Sequence, residues 1–265
     1  MFNIKNINFK YSKKTIIEKI SASFKQNAFT SILGPNGSGK TTLIKIMMKL
    51  LKQQKGEIDI DDKNISTFKS KEYAKKVAYI PQQITFPVGT TVFDFVAYGR
   101  NPHTNIIGMI TNEDKTKVKE ALELCGISHL QDKFITLLSG GQKQMCAIAL
   151  TMAQDAQIIL LDEPNSYLDI YHVDEIMTIL KHLINTHNKT IILTIHDINQ
   201  ASKFSDYILM MSKGKIVDFD TPIKVITKKN LKNTFHVNAK IIKNEGKPFI
   251  LNYTRYEEDH AKDDI

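Results

Sequence analysis

The stretch "FTSILGPNGSGKTTLIKIMMKLL", residues 29–51, constrains the fold more than any other part of the chain. A short apolar run stops at a glycine, a glycine-rich loop follows, and apolar residues then recur at helical spacing. The loop fits G-x-x-x-x-G-K-[ST], and it has the strand before it and the helix after it that the pattern requires. Gly34, Gly37 and Gly39 allow the tight turns that aim backbone N–H groups at an anion. The candidate phosphate-binding set is therefore Gly34, Pro35, Asn36, Gly37, Ser38, Gly39, Lys40, Thr41 and Thr42. Lys40 would neutralise β- and γ-phosphates, the Thr41 hydroxyl would ligate Mg²⁺, and Thr42 would add a further phosphate contact.

A second signal is "QIILLDEP", residues 157–164. Its apolar run predicts a buried strand that delivers Asp162 and Glu163 at its C-terminal end, where open α/β sheets bind ligands. Asp162 suits Mg²⁺, and Glu163 suits a general base that polarises an attacking water. A strand ending in Asp-Glu is a weak signal alone and gains force beside the Lys40 loop. Three further positions take meaning from context. Gln82, in "YIPQQ", follows a core strand and would touch both Mg²⁺ and the attacking water. His196 ends the apolar run "TIILTIHD" and would bond the γ-phosphate while orienting Glu163. Tyr11 closes the first strand and would stack on a base.

Residues 137–150, "LLSGGQKQMCAIAL", pose a different question. Ser139-Gly140-Gly141 opens a predicted helix, and a helix start attracts anions through its free N–H groups and dipole. No lysine stands there to match Lys40.

Other apolar runs, "KVAYI" among them, predict further strands, and "YHVDEIMTILKHLINTH" and "INQASKFS" predict helices. Buried strands alternating with helices indicate the α/β class with a mainly parallel sheet. "FNIKNINFKY" reads as an edge or half-buried strand. Residues 85–154 break the rhythm with "TVFDFVAYG", "NEDKTKVKEALELCG" and "SGGQKQMCAIALTMAQ", all helical in pattern, and are expected to form a helical insertion. After "KIVDF" a Thr-Pro turn is expected, followed by a tail in which "AKII" and "KPFIL" flank "KNEG" as a hairpin. The last ten residues are polar and expected to fray.

The net charge of +8 raises nucleic acid or an anionic membrane as neighbours. The basic residues are almost all lysine, however, with only Arg100 and Arg255 as arginines, and base reading leans on arginine. No nucleic-acid partner is expected. No apolar run approaches the ~20 residues of a membrane span, and the first ten residues carry no continuous apolar stretch of signal-peptide type, so a cytoplasmic location is expected. The two cysteines, Cys125 and Cys146, have no metal-ligand spacing and are expected to pack in helices.

Taken in order, "GPNGSGKTT", "PQQ", "LSGGQ", "LLDEPNSYLD" and "TIHD" resemble the ATP-binding subunit of an ABC transporter over about residues 1–225. The resemblance implies a P-loop α/β ATPase core, about 1–84 and 155–225, with an N-terminal antiparallel β portion and a helical subdomain at about 85–154. Residues 226–265 would form a C-terminal extension. It also implies ATP and Mg²⁺ as cofactors and a homodimer in which two ATP molecules lie between head-to-tail subunits. Ser139, Gly140, Gly141 and Gln142 would then cap the γ-phosphate of the ATP held by the other protomer's lysine, and Asp169 would sense the opposite site.

"VAYGRNPH", "YLDIYH", "HDINQASKFSD" and "FHVNAKIIKNEGKPFIL" resemble importers of ferric siderophores, ferric citrate, haem and cobalamin. The resemblance implies a peripheral ATPase at the cytoplasmic face of the cell membrane, an integral-membrane permease and, indirectly, a substrate-binding lipoprotein. A ferric chelate is the favoured cargo, with haem or cobalamin as the alternative. More distant alternatives are a soluble ATPase of the same family acting on ribosomes or nucleic acid, and a non-catalytic binding module. Phe86, Pro87, Val88, Thr91 and Tyr98 are candidates for permease docking. Two positions depart from the family pattern: Met145 stands where an arginine is frequent, and Asn165 where threonine is frequent.

Overall fold

The computed structural model describes residues 1–104, 109–164 and 169–256. Asn165 and the polar tail beyond Tyr256 lie outside the described residues. The first strands, β1 (Phe2–Tyr11) and β2 (Lys14–Phe24), pair antiparallel, and β4 (Lys55–Ile60) and β5 (Lys63–Asn64) extend them into a sheet of order β2-β1-β4-β5. In β1 the strict alternation expected of "FNIKNINFKY" is interrupted. Phe2, Ile4, Ile7 and Phe9 all face the core because the register shifts between Ile4 and Ile7, where Asn6 has φ +51°. This is a β-bulge, and it returns the second half of the strand to the buried face.

The central sheet has six strands among the described residues. They are β3 (Phe29–Leu33), β6 (Val77–Ile80), β7 (Ile158–Asp162), β8 (Thr190–Ile195), β9 (Tyr207–Ser212) and β10 (Lys215–Asp220), in the order β10-β9-β3-β8-β7-β6. All neighbours are parallel except β9 and β10. Every residue of β3, β7 and β8 is buried, which is why their sequences are mostly apolar and do not alternate with charged residues. Ile158 and Leu160 face one core, shared with helix α1 (Lys40–Met47) and the antiparallel sheet; Ile159 and Leu161 face the other.

That second core holds α3 (Val92–Ala97), α4 (Asn112–Leu124), α5 (Gly140–Ala153) and α6 (Ile170–His187). A short α2 (Ser70–Ala74) precedes β6. Helix α5 packs on α3 and α4 and is apolar on most sides; Met145 and Cys146 are buried in it, and Cys125 is buried at the end of α4. The methionine that replaces the family's frequent arginine is thus a core side chain, suited by its flexible thioether to fill space between helices.

The C-terminal region differs from the sequence reading in two respects. The Thr-Pro turn is a helix start: Pro222 opens α8 (Pro222–Val225), because its fixed φ suits a first helical turn. Helix α9 (Lys228–Phe235) follows, capped by the Thr227 hydroxyl and anchored by the buried Leu231. Phe235 also packs against the core, and the lysines and asparagines between masked these two apolar anchors in the sequence. The expected hairpin is present as β11 (Val237–Asn244) and β12 (Lys247–Arg255), closed by Glu245 and Gly246, both at positive φ. It docks on α7 (Ile198–Phe204), where the Asn199 side chain donates to the Ile250 carbonyl and accepts from the Ile250 N–H.

Candidate active site

Strands β3, β8, β7 and β6 lie side by side, so the residues that follow their C-terminal ends meet at one edge. After β3 comes the glycine loop and α1. Gly39 occupies the N-cap of α1 with φ +104° and no side-chain cap, leaving the first N–H groups of the helix for a ligand. Gly34 is required by proximity: a Cβ there would lie 2.3 Å from the Met211 carbonyl oxygen. Lys40 is buried and its Nζ donates to the carbonyls of Gly34 (2.8 Å) and Pro35 (3.2 Å). Burial lowers the Lys40 pKa, and Glu163 and Asp162 work against that shift. The Ser38 hydroxyl is buried in the same loop without a hydrogen-bond partner. Open N–H groups, a buried ammonium and an orphaned hydroxyl together fit a phosphate chain.

The carboxylates complete this edge. Asp162 is buried, and its Oδ1 accepts from the hydroxyls of Thr41 (3.0 Å) and Thr194 (2.8 Å). Glu163, one residue beyond β7, is met from both sides. Gln82 Nε2 lies 2.7 Å from Glu163 Oε2, and His196 Nε2 lies 2.5 Å from Oε1. The three residues expected to handle the attacking water therefore converge on one carboxylate. Of the expected Mg²⁺ ligands, Thr41 and Asp162 touch one another, whereas the Gln82 amide is held by Glu163. No cluster of three or more His, Cys, Asp or Glu side chains fit to hold a metal occurs among the described residues. One carboxylate and one hydroxyl beside a phosphate site suit Mg²⁺, which keeps several waters and takes phosphate oxygens as ligands.

Tyr11 stands at the end of β1, half exposed, with its ring edge-on to Phe9 at 4.8 Å. Phe9 pairs with Ile17, and a Cβ on Gly39 would lie 3.5 Å from the Ile17 side chain. The tyrosine thus packs on a residue whose strand partner borders the glycine loop.

Ser139, Gly140, Gly141, Gln142 and Asp169 form a second constellation. Ser139 caps α5: its Oγ accepts from the Gln142 N–H (3.3 Å), and the Ser139 N–H donates to Gln142 Oε1 (3.2 Å). Asp169 caps α6, accepting from the His172 N–H (2.9 Å) and standing 2.8 Å from His172 Nδ1. These two contacts, backbone first, hold the Asp169 carboxyl below its usual range. The His172 ring in turn fills the space beside Gly141, where a Cβ would lie 2.3 Å from Cδ2. A histidine the sequence reading passed over thus links the two helix starts.

Two other contributors escaped the sequence reading. Thr194 reads as one more β-branched strand residue, yet it bonds both Asp162 and the Glu163 N–H. Arg100 reads as part of "VAYGRNPH", yet it is buried, 2.8 Å from Asp114 Oδ1, and donates to the carbonyl of Ala153 at the end of α5. Gly99 in the same stretch is needed because a Cβ would lie 2.2 Å from the Leu150 carbonyl oxygen. The docking candidates divide. Val88 is 90% exposed and Tyr98 half exposed, while Phe86 packs on Phe95 and Thr91 caps α3.

A family model for ABC transporters matches residues 17–166. The chain belongs to this family. It is the ATP-binding, ATP-hydrolysing kind of subunit, and it shares 36% identity over 245 residues with the iron(3+)-hydroxamate import ATP-binding protein FhuC of Bacillus subtilis, covering 92% of this chain and 91% of that one. The petrobactin import ATP-binding protein YclP of the same organism is 39% identical over 241 residues, covering 91% and 95%. Among solved structures, an inward-facing ABC transporter of proposed metal-chelate type aligns with TM-score 0.82 and 25% identity, covering 97% of this chain and 98% of the other. No helix among the described residues is long and apolar enough to cross a membrane.

Proposed function

We propose that this chain is the ATPase of an importer for a ferric siderophore, working as a homodimer beneath a membrane permease at the cytoplasmic face of the cell membrane. The observation that carries the catalytic part is the convergence of Gln82 and His196 on Glu163 beside Asp162 and Lys40. The cargo reading rests on relatives named for hydroxamate and petrobactin import. Haem or cobalamin is the second reading of the cargo, and a substrate-binding lipoprotein would deliver it to the permease.

Tyr11 stacks on the base of ATP, and the loop from Gly34 to Thr42 wraps its phosphates. Lys40 exchanges the carbonyls of Gly34 and Pro35 for phosphate oxygens, which keeps a buried ammonium paired throughout. Thr41 and Asp162 would hold Mg²⁺, which when bound supplies charge neutralisation at the β- and γ-phosphates. Glu163 accepts a proton from the water that attacks the γ-phosphorus, and ADP leaves. His196 and Gln82 keep the carboxylate aimed at that water. Ser139 accepts from its own helix and so keeps its hydroxyl proton for the γ-phosphate held by the opposite protomer. Two half-sites per chain make two complete sites only in a closed two-fold pair, and nucleotide favours that closed state by binding it better. Val88 and Tyr98 offer exposed apolar surface to a permease helix.

The test of the base is Glu163→Gln. Turnover should fall by roughly 10²- to 10⁴-fold while ATP binding persists and the dimer accumulates on a sizing column. Retained turnover removes Glu163 from the base role. The cargo is tested by growth of a deletion strain on defined iron sources; normal growth on every ferric chelate refutes the iron reading.

A further inference from the structure

Strand β8 is apolar except at its two threonines, and Thr194 is fully buried at a position where a valine would serve the strand equally well. A buried hydroxyl is unfavourable unless its bonding capacity is used. Here it is used twice, in directions that chemistry fixes. The Glu163 N–H can only donate, and it reaches Thr194 Oγ1 at 2.8 Å. The Asp162 carboxylate accepts, and Thr194 Oγ1 donates its single proton to Oδ1 at 2.8 Å. Thr194 lies opposite Asp162 in the parallel register, so one side chain holds two consecutive residues of the neighbouring strand end.

The second of those residues is strained. Glu163 has φ +50°, in the left-handed region that non-glycine residues rarely adopt and keep only where surrounding contacts hold them there. This turn takes the chain off β7 and brings the Glu163 carboxylate between Gln82 and His196. We infer that Thr194 is a positioning residue whose hydroxyl locks the left-handed turn at Glu163 and, through the same atom, fixes the rotamer of Asp162. The general base and the metal-side carboxylate are thereby kept in one register. This rests on the reading of Glu163 as base.

Thr194→Val keeps the shape and removes both hydrogen bonds, and Thr194→Ser keeps the hydroxyl. In the full-length chain, Thr194→Val should lower kcat roughly 10- to 100-fold, the scale of a small misplacement of a reacting group. KM for ATP, and the affinity for a fluorescent ATP analogue measured without hydrolysis, should stay within about threefold, and Thr194→Ser should bring kcat back to within about threefold. Once the base is gone, the lock on the Glu163 turn has no carboxylate to aim, and only the Asp162 contact is left to lose. In a Glu163→Gln background, Thr194→Val should therefore lower the residual rate clearly less than in the wild-type background, by no more than about threefold. A silent Thr194→Val, a Thr194→Ser as slow as the valine variant, or an equal loss in both backgrounds overturns the inference. A Glu163→Gln variant that turns over normally overturns the base reading and this inference with it; a silent Thr194→Val beside an inactive Glu163→Gln overturns this inference alone.

Discussion

Two helices of this chain begin with glycine-rich turns, and they treat their first N–H groups in opposite ways. Helix α1 starts behind Gly39, which offers no side-chain cap, and it has Lys40 and the unpartnered Ser38 hydroxyl beside it. Helix α5 starts behind Ser139 and closes a capping box with Gln142. The first start is held open for an anion by its own chain. The second has satisfied part of its donor set and has no lysine at its first helical position, Lys143 standing three residues further in; the hydroxyl proton of Ser139 and the remaining N–H groups are what it offers. On the proposed function the difference makes them unequal halves: one would grip phosphate, and the other would touch phosphate already gripped elsewhere. Their mountings differ as well. Helix α1 is sandwiched between two sheets, whereas the far end of α5 is fastened by Arg100, whose Nη1 lies 2.7 Å from the Ala153 carbonyl oxygen.

The largest expected effect falls on that fastening. Arg100→Met leaves Asp114 buried without its cationic partner, with only the Thr111 hydrogen bonds left to it, and breaking a buried pair in this way costs about 3–5 kcal/mol. Denaturant unfolding should show the loss, with the α1 site still able to bind nucleotide in the fraction that stays folded. The pH dependence gives an independent reading. Burial works to raise the Asp114 pKa, but hydrogen bonds from Thr111 and Arg100, with the guanidinium charge, hold it down to about 2, below the ordinary 3.8. A depressed carboxyl stabilises the fold fully above its unfolded value and loses that contribution as pH falls from 3.8 toward 2. Acid titration of the wild type should show this drop, and Arg100→Met should flatten it. An unchanged acid profile would refute the fastening.

Next comes the asymmetry itself. Ser139→Arg places a long cation at the α5 start and should reduce turnover by roughly 100-fold or more, in line with the loss of a group that stabilises transition-state charge. ATP affinity of the isolated subunit should hardly move, because Lys40 lies in the other half. Equal losses in affinity and turnover would merge the two halves into one local site and break the comparison. Lys40→Ala is the mirror experiment. It removes charged hydrogen bonds worth about 1.5–3 kcal/mol, so ATP should bind roughly 10- to 100-fold more weakly. Loss of turnover with unchanged affinity would mean that the lysine serves chemistry alone.

The half built around Lys40 was the more legible in the sequence, for a physical reason. Its residues sit at the ends of fully buried strands, and such strands announce themselves as apolar runs with polar residues at their exits: Gly34 after β3, Asp162 within and Glu163 after β7, His196 after β8. The helix start at Ser139 was legible as a cap, but the lack of a lysine at its first helical position had meaning only beside the other site. Contacts made across the fold left no local trace. Thr194 is indistinguishable from a strand former until β7 lies beside it, and Arg100 from a surface cation until α4 and α5 close over it. The bulge at Asn6 and helix α9 were missed because a two-residue or 3.6-residue period is diluted when the apolar anchors are few. The link from Asp169 through His172 to Gly141 depends on where two helices begin relative to one another, which no spacing in the chain encodes.

The smallest effect separates the two duties of the α5 start. Gln142 accepts the Ser139 N–H through its side-chain oxygen, and glutamate is the other residue that commonly fills this position of a capping box. Gln142→Glu should therefore leave the helix intact, or strengthen it by about 0.3–1 kcal/mol, since a carboxylate near a helix N-terminus is favourable. The same carboxylate would face the γ-phosphate of a partner subunit and repel it. Turnover should fall several-fold, on the order of one unfavourable charge pair near a protein surface, and raising the salt concentration should recover part of it by screening. If the α5 start serves only its own helix, the variant will be at least as stable as the wild type and turn over at the same rate at every salt concentration. A stable variant with a salt-sensitive defect is the outcome that an anion arriving from another subunit requires, because the chain's own folding gains from the charge that its assembly would oppose.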